Sequence, residues 1–151
     1  MIDAIDRAIL RTLQEDGRIT NQALAERCNL SPAACHERVR RLREKGYIVG
    51  TVAVLDPVLL DCALLIFVGV LLARTTSDVF DDFAAGGRGI PAVLECHMVA
   101  GGFDYLIKAR VKDMAAYRAF LGDTLVDLPG VRETRTYAVL EEVKNTHVLP
   151  I

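Results

Sequence analysis

An α+β fold in two parts is what this sequence predicts, and three observations predict it. Apolar residues recur at helical spacing through the first third of the chain. Strand-like and helix-like segments then follow one another as strand, helix, strand, strand, helix, strand. Charge divides at the same place: residues 1–50 carry a net +2 and residues 51–151 a net −4. Opposite signs in the two parts point to two tasks in one chain.

Ile2, Ile5, Ile9 and Leu13 fall on one face of a first helix, which Gly17 stops. Thr20 caps a second helix, NQALAERC, with Leu24 and Cys28 inward. Asn29 and Leu30 make a tight turn. Ser31 is an N-cap and Pro32 takes the first helical position, where its missing N–H costs little. Cys35, Val39 and Leu42 form the buried stripe of the third helix, and Gly46 ends it. Helix, short turn, helix is the arrangement that places a second helix in a DNA groove.

The third helix concentrates the positive charge. Ala33, Ala34, Glu37, Arg40 and Arg41 lie outward, with His36, Arg38, Arg43 and Lys45 flanking. Small residues at its start let backbone approach a surface closely, and arginines further along reach phosphates or guanine edges. An ordinary bundle with a solvated basic face has the same spacing. On the DNA-binding reading, Ala33, Ala34, His36, Glu37, Arg40 and Arg41 lie near bases, and Ser31, Arg38, Arg43 and Lys45 nearer the backbone. Arg38 alternatively pairs with an acidic residue inside the domain.

YIVGTVAVL alternates and is rich in β-branched residues, which predicts a strand, and DPVLLD follows as turn or linker. The expected organisation is therefore a helical domain over residues 1–50, a linking strand and hinge over 51–62, and a second domain over 63–151. That domain opens with a strand from about Ala63 to Ala73. Ser77 caps a helix with Val79, Phe80, Phe83 and Ala84 inward, ended by Gly86 and Gly87. AVLECHMVA is a strand, Gly101 and Gly102 give a tight reversal, and FDYLIKARVK returns. Asp113 caps a last helix with Met114, Tyr117, Phe120 and Leu121 inward, and VRETRTYAVLEEV closes the domain. Two βαβ units in tandem are the ferredoxin-like pattern, an antiparallel sheet with both helices on one face. The uncovered face carries apolar residues and is expected to pack on another subunit.

Other classes find less support. The longest apolar run, Cys62 to Ala73, is too short to span a membrane. No cationic leader precedes an apolar core, so a cytoplasmic protein is expected. The cysteines 28, 35, 62 and 96 show no CxxC spacing and read as reduced core residues, with no metal and no cofactor implied. His36, His97 and His147 lie far apart with no nucleophile motif beside them, and GGRG at 86–89 reads as a helix terminator, so no enzyme is expected.

The stretch IDRAILRTLQEDGRITNQALAERCNLSPAACHERVRRLREKGYI resembles the N-terminal helix-turn-helix of the Lrp/AsnC (feast/famine) transcription regulators. GGFDYLIK and TRTYAVL are similar to the glycine–acidic–tyrosine loop and last strand of that family's effector-binding RAM domain. The resemblance implies a sequence-specific transcription regulator that binds double-stranded DNA and senses an amino acid or related metabolite between subunits. It also implies homodimers, joined partly through the linking strand, that assemble further, commonly to octamers. The effector residues implied are Gly101, Gly102, Phe103, Asp104, Tyr105, Thr134 and Thr136. Gly101 and Gly102 leave backbone N–H groups open to a carboxylate, Asp104 can hold an ammonium, and the threonines can donate hydroxyls. A plain hairpin turn, a turn-capping carboxylate and ordinary strand formers are the alternatives at those positions. Two positions depart from the pattern. Glu37 stands where many members carry arginine or a polar residue, and Phe103 where the loop is often acidic or polar. An effector-free protein that compacts DNA is the competing function.

Overall fold

The computed structural model describes residues 2–151. They form two compact units: residues up to Val54 together with Lys144–Ile151, and Leu55–Val143.

The first unit is built on three helices, α1 (Ala4–Glu15), α2 (Asn21–Arg27) and α3 (Pro32–Glu44). Ile9, Leu10, Leu24, Ala25, Cys35, Val39 and Leu42 make its core. Asp3 caps α1 by accepting from the Asp6 N–H at 2.7 Å, and Asp6 returns the contact to the Asp3 N–H, a capping box. Asp6 is 3 % exposed and is the one charged residue buried among those described. A buried carboxylate needs cationic partners. Arg38 of α3 donates to Asp6 Oδ1 and to Asp3 Oδ2, each at 2.7 Å, and Arg41 reaches Asp6 at 3.2 Å. These bonds fix the rotation of α3 against α1. The chain's end returns to the same unit: Gln14 exchanges side-chain bonds with the backbone of Leu149, and Ile151 packs on the core.

The expected linking strand is not formed. Residues 48–56 have no regular structure, and Val49, Val52 and Val54 are 96 %, 83 % and 79 % exposed. Alternating β-branched residues favour an extended chain, but a strand exists only where another backbone accepts its hydrogen bonds. The single chain offers this segment none.

The second unit runs β1 (Leu64–Leu72), α4 (Ser77–Arg88), β2 (Val93–Met98), β3 (Tyr105–Val111), α5 (Met114–Phe120) with a wide turn over Leu121–Leu125, and β4 (Val131–Ala138). The strand order is β2-β3-β1-β4, all antiparallel, as the ferredoxin-like pattern requires. One face carries Ile66, Val68, Val70, Leu72, Tyr105, Ile107 and Ala109 against Phe83, Tyr117 and Leu125 of the helical layer. The other face has no helix over it.

The structure differs from three local expectations. Thr76, not Ser77, holds the N-cap position of α4, and it makes no side-chain capping bond. Gly86 and Gly87 lie inside the last turn of that helix, which runs to Arg88 and ends within GGRG with Gly89 at the C-cap. A Cβ on Gly86 would lie 2.9 Å from a Leu128 methyl, so Gly86 permits close packing rather than termination. Only Cys35 is a core cysteine; Cys28 and Cys62 are half-buried and Cys96 is exposed.

Two stability predictions follow from this packing. Arg38→Met leaves the buried Asp6 with Arg41 alone and lowers the unfolding free energy of the helical unit by about 2–4 kcal/mol in urea titration followed by circular dichroism. Gly130 has φ +78°, and a Cβ there would meet Val79 at 2.6 Å. Gly130→Ala therefore costs about 1–3 kcal/mol, while Gly101→Ala, with nothing within 4 Å, changes stability by less than about 0.5 kcal/mol.

Candidate functional site

The α2–α3 corner is rigid for identifiable reasons. Thr20 Oγ1 accepts from the Ala23 N–H at 3.2 Å and Ser31 Oγ from the Ala34 N–H at 3.2 Å, so both helices start on a capped turn. Asn29 adopts φ 53°, a left-handed value that asparagine tolerates. The Leu30 N–H then bonds back to the Ala25 carbonyl at 2.9 Å. Asn21 Nδ2 donates to the Pro32 carbonyl at 2.8 Å and ties the two helix starts together.

On this frame α3 presents Ser31, Ala33, Ala34, His36, Glu37, Arg40, Arg43 and Lys45 to solvent. Arg38 and Arg41 are turned toward α1 and engaged by Asp3 and Asp6. Of the two alternatives for Arg38, the free chain adopts the internal pair. Arg41, expected among the outward residues, is half-buried beside Asp6. Arg40 is outward but lies between Glu37 and Glu44. Among the described residues, no carboxylate forms an ion pair with Arg43 or Lys45. Five cations on one segment thus reduce to two that are uncompensated.

In the second unit the seven expected effector residues divide: Gly101, Gly102, Phe103 and Asp104 share the loop after β2, and Tyr105, Thr134 and Thr136 lie on the helix side of the sheet. The reversal is a six-residue loop rather than a tight turn, closed by the Val99 N–H on the Asp104 carbonyl at 3.0 Å. Asp104 stitches this loop to β1: its N–H donates to the Val70 carbonyl at 2.9 Å and its Oδ2 accepts from the Leu72 N–H at 2.8 Å. Part of the carboxylate meant for an ammonium group is therefore engaged. Tyr105 is 4 % exposed in the helix-side core, with its hydroxyl donating to the Phe80 carbonyl. Thr134 and Thr136 pair with Val70 and Val68, which places both on the helix side, and the Thr136 hydroxyl bonds that of Tyr117.

Phe103 lies over the opposite, open face. Its ring occupies the space above Gly69, where a Cβ would come within 2.5 Å, and its centroid is 6.3 Å from that of Tyr137. Gly101 and Gly102 beside it are exposed, with no atoms within 4 Å of where a Cβ would stand. The arrangement offers an aromatic floor next to open backbone. Gly69 and Tyr137 were missed in the sequence. A glycine inside the apolar run LLIFVGVLL was the available signal, since such a glycine marks close approach by another group. Nearby, Glu95 accepts from Lys108 at 2.9 Å and bonds His97 at 3.0 Å, and these contacts hold its carboxyl below the usual glutamate range. Among the described residues no cluster suits a metal ion, and no helix is long and apolar enough to cross a membrane.

Comparison with known proteins fits both units. Residues 2–49 match the winged helix-turn-helix DNA-binding family and residues 65–149 the Lrp/AsnC ligand binding domain. The leucine-responsive regulatory proteins of Salmonella typhimurium LT2 and Escherichia coli K12 are each 53 % identical over 150 residues, covering 99 % of this chain and 92 % of theirs. A Neisseria meningitidis transcriptional regulator solved with L-Met superposes with a TM-score of 0.95 at 39 % identity, covering 99 % of this chain and 97 % of that one. An Agrobacterium tumefaciens AsnC family regulator gives 0.94 at 33 %, with the same coverage. A capped helix-turn-helix with a solvent-facing basic helix, followed by a ligand-binding ferredoxin-like sheet, places this chain in the Lrp/AsnC family, as a ligand-sensing, DNA-binding transcription regulator.

Proposed function

We propose that this regulator acts as a homodimer, with α3 of each copy in the major groove of a roughly palindromic site, and that an amino acid bound between subunits, beside the Phe103 loop, sets its activity. The observation that carries the DNA half is the outward face of α3. Ala33 and Ala34 allow close approach, Ser31 and the Ala33 N–H, the one first-turn amide left uncapped, meet the backbone, and Arg43 and Lys45 are uncompensated cations in reach of phosphate. His36, Glu37 and Arg40 face the bases. Arg38 and Arg41 serve mainly to hold α3 in position. Two-fold pairing spaces the half-sites one helical turn apart, ~34–36 Å, or a multiple of it.

Unsatisfied surface supports the dimer. Val49, Val52, Val54, Leu55, Leu59 and Leu60 are exposed, which is costly unless a second copy covers them. Residues 47–55 then pair as strands across the two-fold axis, and the open sheet face packs on its counterpart; further assembly into octamers builds on the same contacts. The amino-acid assignment rests on the aromatic floor of Phe103 and Tyr137, which suits an apolar side chain, and on the open backbone at Gly101 and Gly102, which suits a carboxylate. Relatives named for their response to leucine, and one solved with L-Met, support the same class of ligand. The protein is read as a cytoplasmic one with no catalytic role.

Footprinting on the DNA upstream of the chain's own gene, with and without an amino-acid mixture, tests the whole reading: protected half-sites that change with the mixture support it, and uniform, length-dependent coverage counts against it. Arg43→Ala is expected to weaken binding several-fold and to reduce the slope of log affinity against log salt by ~0.9, in anisotropy titrations. Calorimetry over the twenty amino acids is expected to find an apolar one, and Phe103→Ala to weaken that ligand by about tenfold.

A further inference from the structure

Arg40 stands on the exposed side of α3 with a carboxylate one turn away on each side. Its Nε donates to Glu37 Oε2 at 2.9 Å and its Nη2 to Glu37 Oε1 at 2.5 Å, a two-pronged pair, while Nη1 reaches Glu44. The i,i+3 and i,i+4 spacings set all three on one stripe of the helix. The side chains of Arg40, Glu37 and Glu44 are 51 %, 58 % and 57 % exposed. Ion pairs in that much water contribute little to folding, so the triad matters chiefly for what approaches the helix. It carries a net −1 on a face that has to meet a polyanion. The bonds to Arg40 hold the Glu37 carboxyl below the usual glutamate range, so it is charged at neutral pH.

That charge makes Arg40 a poor general anchor. To reach a phosphate it must leave a bidentate partner and expose Glu37 to the same phosphates. A cost of this kind is sequence-independent unless some sequence offers Glu37 a replacement donor. In the major groove the exocyclic amino group of cytosine is that donor. Thymine and guanine present carbonyl acceptors, which repel a carboxylate, and adenine places its N7 acceptor next to its amino group.

We propose that Glu37 is the specificity-determining residue of α3: its carboxylate accepts from the amino group of a cytosine, and only a site with that cytosine releases Arg40 to donate to an adjacent guanine. The assignment rests on α3 lying in the major groove, as argued above. Glu44 shares the charge of Glu37 and its contact with Arg40 but lies at the far end of the helix, so it serves as the matched control.

The full chain is put through selection from a randomised duplex library, alongside Glu37→Ala and Glu44→Ala, and the recovered and scrambled duplexes are titrated by anisotropy. The wild-type protein is expected to select a C·G pair at one position of each half-site. Glu37→Ala is expected to lose that preference, to bind scrambled duplex several-fold more tightly, and to steepen its salt slope by up to ~0.9 as Arg40 is freed. Glu44→Ala is expected to gain general affinity with the C·G preference intact. Glu37→Ala that still selects the same C·G pair, or wild-type sites with no cytosine at any fixed position, overturns the assignment while leaving groove binding in place. Wild-type protein that binds no duplex removes the groove placement and this assignment with it.

Discussion

One buried carboxylate organises the DNA-binding half. Asp6 lies at the N-terminal turn of α1, where its own cap contact and two arginines from α3 converge. Taking a carboxylate out of water is expensive, and the arrangement is stable only because Arg38 and Arg41 supply charge and hydrogen bonds together. Those two residues are fixed by that need. Because they sit three apart on α3, fixing both fixes the rotation of the helix about its axis. Which α3 residues face outward depends on this one anchor.

The second unit is governed by a different constraint, the two-faced central strand. β1 pairs with β3 and β4 on its two edges and alternates strictly: Ile66, Val68, Val70 and Leu72 to the helices, Phe67, Gly69 and Leu71 to the open face. A glycine in that open row makes room for the ring of Phe103, which the loop after β2 delivers. The same loop is held by Asp104 against the end of β1. A position with no side chain in the sheet and an aromatic in the loop are thus a matched pair, and together they set the shape of the candidate ligand surface.

Much of this was legible along the chain because it depends on local rules. Helical periodicity gave the three helices, Ser31 and Pro32 marked the start of α3, and the order of strands and helices gave the sheet topology. What could not be read shares one property: it is decided by residues distant in sequence. Arg38 and Arg41 find their carboxylates more than thirty residues away. The resemblance groups Thr134, Thr136 and Phe103 at one site, yet strand register assigns the threonines to the face opposite the ring. Residues 47–55 have the composition of a strand, but no second strand meets them within one chain. Of the glycines in GGRG, Gly89 is the one that caps the helix, while Gly86 is there for close packing against Leu128, a contact more than forty residues away in sequence that periodicity does not reveal.

The charge on α3 carries the last step. A basic segment on a slightly acidic chain suggests a strong electrostatic anchor, but the structure disperses most of that charge. Arg38 and Arg41 serve the fold, and Arg40 is held by two glutamates. Among the described cations of α3 only Arg43 and Lys45 form no ion pair, and on the groove placement proposed above they alone meet phosphate on general terms, with counterion release scaling with such contacts. A helix with few free cations binds any duplex weakly, so a larger share of its binding energy has to come from base contacts. Weak general attraction also lets sites compete on sequence, because the non-specific background each must exceed is low. Internal pairing of α3 is therefore a physical route to discrimination as well as a consequence of folding.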